Sequence, residues 1–292
     1  MVWYCLKMFL ETTLLFKTLV ILSGQIIVIL ATCFYFLVRA KKAYEDNTTF
    51  FGISFKGSVN LKGKLDLIPY LKPKDTFPKK MVLHEKNNPT LIKEVKDQDE
   101  VIKLLKEGYS HETEGAWKVV SLFFFNMIAL WITLVLVNFF SSNIWIGMTI
   151  FTLCSASFGP LLAIIMLEMD ENDGFTALKI VFFVTLLTGF IGYGDFYSFS
   201  QNDIFGATLC LSLFGLIVFH IARFVKDFSR NTIRAAAIFG SLLFSLFLLY
   251  DFNLIRTQEL GSNDWGTAMR MAFILYLDII NLLLDILEAM GD

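Results

Sequence analysis

Residues 239–291 read FGSLLFSLFLLYDFNLIRTQELGSNDWGTAMRMAFILYLDIINLLLDILEAMG. Two apolar segments flank a polar loop, and the second carries Asp278 and Asp285 within its hydrophobic run. An acid near membrane hydrocarbon costs at least about 2.5 kcal/mol by insertion scales, so such acids usually face a bundle interior or an aqueous path. The stretch therefore predicts two helices that hold acids inside a protein bundle. Asp251, at the end of the first segment, and Asp278 are the leading candidates for a functional site.

The composition of the whole chain is that of a polytopic membrane protein. Hydrophobic residues make up 55% of the 292 residues, and the mean hydropathy is +0.61, so the lipid bilayer is the expected environment. The formal net charge of −2 gives no indication of nucleic-acid binding. The four cysteines and three histidines show neither a disulfide framework nor metal-ligand spacing.

Seven apolar segments are long enough to cross a membrane, since about 20 residues in a helix span a hydrocarbon core of about 30 Å. They are residues 14–38, 117–140, 144–168, 175–196, 204–224, 232–252 and 268–289. We predict an all-α polytopic fold, a bundle of seven transmembrane helices. Its parts are an N-terminal anchor (1–38), a soluble charged insert (39–116) and a six-helix membrane domain (117–292).

The insert differs in composition from the rest of the chain. It holds 15 of the 25 Lys and Arg residues. Between residues 51 and 71, apolar and polar residues alternate between Lys-Gly turns, which predicts two or three short strands. Thr90 is placed to cap a helix that ends near residue 106. We predict a small α+β insert that packs on the bundle or on a partner, with a basic surface against anionic lipid headgroups as the alternative.

Basic residues set the expected orientation. Arg39, Lys41 and Lys42 directly follow the first segment, and the loop at 222–234 is also basic. The positive-inside rule places both regions on the same side, in the cytosol or, for a mitochondrial inner membrane, in the matrix.

The two acid-bearing segments also carry a family resemblance. YDFNLI at residues 250–255 and LYLDIINL at residues 275–282 are similar to the C-terminal signature of the transmembrane BAX inhibitor motif family. The resemblance implies that Asp251 and Asp278 form a paired, pH-sensing site in a calcium-leak pathway of an intracellular membrane. It also implies that this chain lacks the family's fifth helix and has gained an N-terminal anchor.

The spacing of polar residues on the last segment indicates what the pair could do. Asp278 and Asp285 are seven residues apart, hence within about 20° of each other on a helix, with Asn281 nearby. If Asp251 meets Asp278, desolvation and like charge disfavour the doubly ionised form, and the pair would share a proton. A calcium ion could replace that proton, with Asn281 or backbone carbonyls as further oxygen ligands.

Other interpretations stay open. The pair could be a structural lock between two helices, with Tyr250 or Tyr276 as hydrogen-bond donor. The chain could then be a non-transporting accessory subunit of a large membrane assembly, such as a mitochondrial inner-membrane respiratory complex, whose other subunits would be its partners. The endoplasmic reticulum and the mitochondrial inner membrane both remain candidate locations.

An enzymatic function is not indicated. The sequence has no nucleophile elbow, phosphate loop or His–Glu metal motif. GYGD at residues 192–195 matches the GxGD motif of intramembrane aspartyl proteases, but it precedes Tyr250-Asp251, whereas in that family the Tyr-Asp motif comes first.

Overall fold

The computed structural model describes residues 13–45, 143–167, 171–194, 196–223, 225–226 and 228–290, together with short pieces between residues 58 and 133. The described residues contain six helices. They are α1 (Leu14–Glu45), α2 (Ile144–Leu167), α3 (Glu171–Tyr193), α4 (Asp203–Arg223), α5 (Arg230–Glu259) and α6 (Trp265–Met290). A short 3-10 helix, Phe199–Gln201, lies between α3 and α4.

Five of the described helices, α1 to α5, are long and apolar enough to cross a membrane. Large apolar side chains such as Phe34, Phe183 and Leu211 are exposed on them, as expected where helices face lipid rather than water. In contrast, α6 contains Asp278 and Asp285, and most of its side chains are buried. The chain is therefore a multi-pass integral membrane protein. Most side chains of its last helix, α6, are buried within the protein.

The predicted bundle of seven spanning helices is not reproduced in the part of the chain that the structure describes. The second predicted segment, residues 117–140, lies almost entirely outside the described residues. So does most of the predicted insert at 39–116, where two antiparallel pairs of two-residue strands are described. They join Ser58–Val59 to Leu65–Asp66 and Met81–Val82 to Ile92–Lys93. The helix predicted from Thr90 is wrong at Ile92–Lys93, and the domain boundaries remain predictions.

Two helices extend beyond their predicted ends. α1 continues through Arg39 to Glu45, because residues 39–45 contain good helix formers and neither glycine nor proline. α5 continues to Glu259, so Asp251 lies two turns inside the helix rather than at its end. A change from apolar to polar residues marks where a helix leaves an apolar environment, whereas the helix itself continues until its backbone is capped.

The described residues form two compact units. In the unit that includes residues 28–45 and 153–167, Gly159 of α2 lies directly against Thr32 and Cys33 of α1, where a Cβ atom would meet the Cys33 backbone nitrogen at 2.8 Å. This glycine therefore allows close packing of two apolar helices, as small residues do in membrane bundles. All contacts discussed below lie within the other unit, which includes residues 13–27, 143–152 and 175–290.

In the unit that includes residues 175–290, polar contacts join the start of α1, the ends of α3 and α5, and the loop before α6. Glu259, at the end of α5, accepts hydrogen bonds from the backbone N–H of Leu14 at 3.0 Å and from the Tyr193 hydroxyl at 2.6 Å. Lys17 donates to the backbone carbonyl of Asn263 at 2.7 Å. The Glu259 carboxylate thus satisfies a backbone donor at the start of α1, where negative charge is favourable. These bonds hold α1 against the loop between α5 and α6.

Asp264 caps the start of α6. Its carboxylate accepts hydrogen bonds from the Ser262 hydroxyl at 2.6 Å and from the Thr267 backbone N–H at 3.0 Å and hydroxyl at 2.8 Å. The Ser262 hydroxyl, followed by the Thr267 donors, holds the pKa of Asp264 well below its usual range. Because the pKa is depressed in the folded state, the stabilisation is present above the ordinary carboxyl pKa of about 3.9 and is lost at lower pH.

Gly192 brings α3 close to α5. A Cβ atom at this position would meet the backbone oxygen of Leu249 and, at 2.9 Å, the Cβ of Phe252. The Asn253 side chain donates to the Gly192 carbonyl at 2.9 Å and accepts from the Ser200 backbone N–H, also at 2.9 Å. The end of α3 and the turn that follows it are therefore both attached to α5.

Replacing the α6 cap should lower stability in a pH-dependent way. We expect Asp264→Ala to lower the free energy of unfolding by about 1 kcal/mol at neutral pH, since three donors lose their acceptor. Asp264→Asn, which keeps an acceptor oxygen, is the matched control. Thermal unfolding in mild detergent measures both, and the deficit of Asp264→Ala should shrink as the pH falls below the ordinary carboxyl range. Equal stability of wild type and Asp264→Ala at neutral pH would contradict the assignment of the cap.

Two glycine-to-alanine substitutions should differ in their effect on the free energy of unfolding. Gly192→Ala should destabilise the protein by about 1–3 kcal/mol, because the added methyl group overlaps α5. Gly215→Ala on α4, where a Cβ would meet nothing within 4 Å, should be neutral or stabilising by up to about 1 kcal/mol. Thermal unfolding of both variants decides the matter, and the packing description is wrong if Gly192→Ala is as stable as Gly215→Ala.

Candidate functional site

Asp251 and Asp278 lie together between the last two helices. Among the described helices, α5 and α6 form the most extensive contact. Asp251 is only 6% exposed and Asp278 only 8%. Their carboxyl groups lie within hydrogen-bonding reach of each other. The structure therefore brings together the two acids that the sequence singled out, and we call them the aspartate pair.

The surroundings of the aspartate pair are apolar. Leu248, Phe252 and Ile255 of α5 are buried near Asp251, and Leu275, Ile279 and Leu282 of α6 are buried near Asp278. In the described part of the chain, the Oδ2 atom of each acid has no hydrogen-bond partner, and neither carboxyl has a cationic neighbour. Burying two unpaired carboxylates in contact would cost several kcal/mol for each ion. The pair is therefore expected to hold at least one proton, shared as an O–H···O bond.

Asp285 lies two turns beyond Asp278 on the same side of α6. It is 7% exposed, and its carboxylate rests against Gly240 of α5, where a Cβ atom would meet both carboxylate oxygens. Its Oδ2 has no hydrogen-bond partner among the described residues. Gly240 thus provides the space in which a third buried acid packs between α5 and α6.

The other residues predicted to support the site occupy different positions. The Tyr250 hydroxyl donates to the backbone oxygen of Ser200 at 3.5 Å, so it is directed at the turn before α4 rather than at the aspartate pair. Tyr276 is fully buried, and its ring packs edge-on against Phe151 with 5.0 Å between centroids. Asn281 is half-buried, one turn beyond Asp278. The aspartates therefore meet through their own carboxyls, without Tyr250 as the donor.

The donor set at the aspartate pair is small for a metal ion. Within the described ranges, no group of three or more His, Cys, Asp or Glu residues is placed to hold one. Calcium prefers about six to eight oxygen ligands, whereas the pair supplies two carboxyl groups, and the carbonyls of a helix interior are occupied by helix hydrogen bonds. The pair fits a bound proton better than a resident calcium ion. Calcium there would have to retain most of its water.

A polar cluster at the end of α6 was missed by the sequence interpretation. Glu288 forms an ion pair with Arg223 at 2.7 Å, and its backbone carbonyl accepts from Arg230 at 2.8 Å. A ring nitrogen of His220 lies 3.5 Å from Arg223. Glu288 follows Asp285 by three residues, about 60° round the helix, so a search of the same side of α6 at a spacing of three as well as seven residues would have included it.

The contact between Gly240 and Asp285 can be tested by a double substitution. Gly240→Ala should destabilise the protein by about 1–3 kcal/mol, because the methyl group displaces the carboxylate. Adding Asp285→Ala removes that carboxylate, so the double variant should recover stability, with a coupling of at least about 1 kcal/mol. Thermal unfolding of the two single variants and the double variant measures the coupling. Additive effects would mean that the two residues do not touch.

Comparison with models of known protein families and with curated proteins gave no match to this chain.

Proposed function

We propose that this protein is a BAX-inhibitor-like cation leak of an intracellular membrane, with an activity set by protonation of Asp251 and Asp278. The observation that carries the proposal is the contact between two buried carboxyls in an apolar helix pair. Acids in such positions are costly, and in membrane proteins they commonly mark ion or proton pathways. Calcium is the proposed cation because the YDFNLI and LYLDIINL segments resemble that family.

The protonation state would control how α5 and α6 pack. With one proton, the two carboxyls are joined by a hydrogen bond and the helices stay closed. Without it, two negative charges about 4 Å apart repel each other by about 4 kcal/mol at an effective dielectric constant of about 20. That repulsion is relieved if the helices separate or if a divalent cation enters. Protons and calcium would therefore compete, and calcium flux is expected to rise with pH.

A structural function is the competing proposal, and it rests on the same contact. A pair that always keeps its proton would lock α5 to α6, as the extensive contact between these helices allows. The chain would then be a non-transporting accessory subunit of a larger membrane assembly. Its exposed apolar helix faces would contact partner subunits as well as lipid. The flux experiment below separates the two functions.

Calcium flux in liposomes tests the proposed function. Wild-type protein should pass calcium at a rate that increases with pH. Asp278→Asn leaves Asp251 beside a neutral amide and abolishes the coupled titration, so the flux should lose its pH dependence. Asp203→Asn, which removes an exposed acid in the first turn of α4, is the matched control and should behave as wild type.

Two outcomes would reject the proposed function. Wild-type flux no greater than that of empty liposomes at every pH would favour the structural lock. A clear wild-type flux that keeps its pH dependence in both Asp251→Asn and Asp278→Asn would show that the leak does not depend on the aspartate pair.

A further inference from the structure

Three acids of α6 lie on one side of the helix and lead from the aspartate pair to the end of the bundle. Asp285 follows Asp278 by seven residues and Glu288 follows Asp285 by three. At a rise of about 1.5 Å per residue, the line is about 15 Å long, which is half of a hydrocarbon core of about 30 Å. We call these three residues the acidic stripe. Its length is sufficient to connect the interior of the membrane with one surface.

The acidic stripe runs from a buried end to an exposed one. Asp278 and Asp285 are buried, whereas the side chain of Glu288 is 26% exposed and that of its partner Arg223 is 31% exposed. The unpartnered Oδ2 atoms of Asp251, Asp278 and Asp285 leave three buried acceptors that a proton or a water molecule would satisfy. These three unpartnered acceptors indicate, independently of the spacing of the acids along α6, that the stripe holds a ligand.

In the opposite direction, α6 carries no acid between its first residue and Asp278. Met271, Phe273 and Leu275 are buried on the side of the aspartate pair that leads to Asp264. Phe151 of α2 packs edge-on against Phe273 at a centroid distance of 5.1 Å. Met271 and Leu275 therefore lie between the pair and the start of α6, and the charged side chain of α6 in that direction, Arg270, does not continue the line of carboxyls.

We propose that Asp285 carries protons between Glu288 and the aspartate pair, along a water path that opens only at the Glu288 end. This inference rests on the proposed function. It adds the end of the bundle from which the proton reaches the aspartate pair. A hydronium ion at the Glu288 end transfers a proton to the Asp285 carboxylate, which forms an O–H bond while an O–H bond of the hydronium ion breaks and a water molecule is left. That bond then breaks, and the proton passes through intervening water to a carboxylate oxygen of the pair.

Charged groups from three helices face this path. Beside Asp285 and Glu288 of α6 lie Arg223 and His220 of α4 and Arg230 of α5, with Asp251 of α5 at the inner end. The two guanidinium groups at the outer end oppose the entry of a divalent cation by charge repulsion. A proton transferred through hydrogen-bonded water does not require a cation to pass between them. The path therefore suits protons, and calcium would take another route.

Cysteine accessibility tests the direction of the path without relying on flux. Asp285 lies seven residues after Asp278 and Met271 lies seven before it, with similar burial of 7% and 8%. Asp285→Cys and Met271→Cys, each in a chain whose native cysteines are replaced by serine, form a matched pair. A charged, membrane-impermeant methanethiosulfonate should modify the Asp285→Cys protein at least about tenfold faster, since thiol reactivity follows access to water. Equal rates, or faster modification at position 271, would overturn the proposal.

A measurement on the native sequence covers the case in which a variant fails to fold. A water-soluble carbodiimide activates a carboxyl as an acylisourea, and a charged amine then displaces the urea to leave an amide that mass spectrometry locates. Asp285 should be modified in the folded protein, as the exposed Asp203 is. Modification of Asp203 and Glu288 without Asp285 would show that water does not reach Asp285, and would overturn the proposal.

A functional readout completes the test. Asn cannot donate and regain a carboxyl proton, so Asp285→Asn should slow the response of calcium flux to a pH jump by about tenfold or more. Met271→Leu should leave this response unchanged. An unaltered response in Asp285→Asn overturns the relay. If wild-type protein shows no flux, the proposed function fails, whereas the two labelling results still decide whether the path exists.

Discussion

The contact between the Asp251 and Asp278 carboxyls is a costly interaction, because each carboxylate that is removed from water carries a penalty of several kcal/mol. The neighbouring structure limits that cost in two ways. Contact between the carboxyls lets them share one proton, and the packing of α5 against α6 leaves Asp251 only 6% and Asp278 only 8% exposed. α6, which contains Asp278, is the most buried of the described helices, whereas α4 has few buried side chains.

Contacts at both ends of α6 fix its position. Its start is capped by Asp264, and the loop before it is held by Lys17 of α1. Its end is held by the Glu288 contacts with Arg223 and Arg230. Gly240 and Gly192 allow α5 to approach α6 and α3 closely enough for these polar contacts to form. The acids between the two ends of α6 are therefore placed by packing at many points rather than by cationic partners.

How much of this could be read from the sequence depends on the kind of information needed. The ends of α2 and α4 fall within one residue of their predicted positions, because apolar runs flanked by polar residues locate spanning helices well. The pairing of Asp251 with Asp278 was also predictable. Acids on two apolar helices that are joined by a short loop avoid lipid when they lie between the two helices. The end of α5 was not, because polar residues beyond Asp251 continue the helix by packing against α3 and α1.

Other features depend on tertiary contacts that no spacing rule contains. The Tyr250 hydroxyl was a reasonable donor for its neighbour Asp251, but the turn that holds Ser200 packs against α5 and accepts that hydroxyl instead. The size of the space beside Asp285 is set by a glycine on another helix. Glu288 lies on a visible stripe, yet its partner Arg223 comes from α4, whose relation to α6 is fixed only by the folded bundle.

Infrared spectroscopy of the purified protein at neutral pH shows whether the aspartate pair holds a shared proton. A protonated carboxyl gives a C=O stretching band that is distinct from carboxylate bands and shifts when hydrogen is exchanged for deuterium. We expect such a band in wild-type protein and its loss or displacement in both Asp251→Asn and Asp278→Asn. A wild-type spectrum without a protonated carboxyl, or a band that neither substitution changes, would contradict the shared proton.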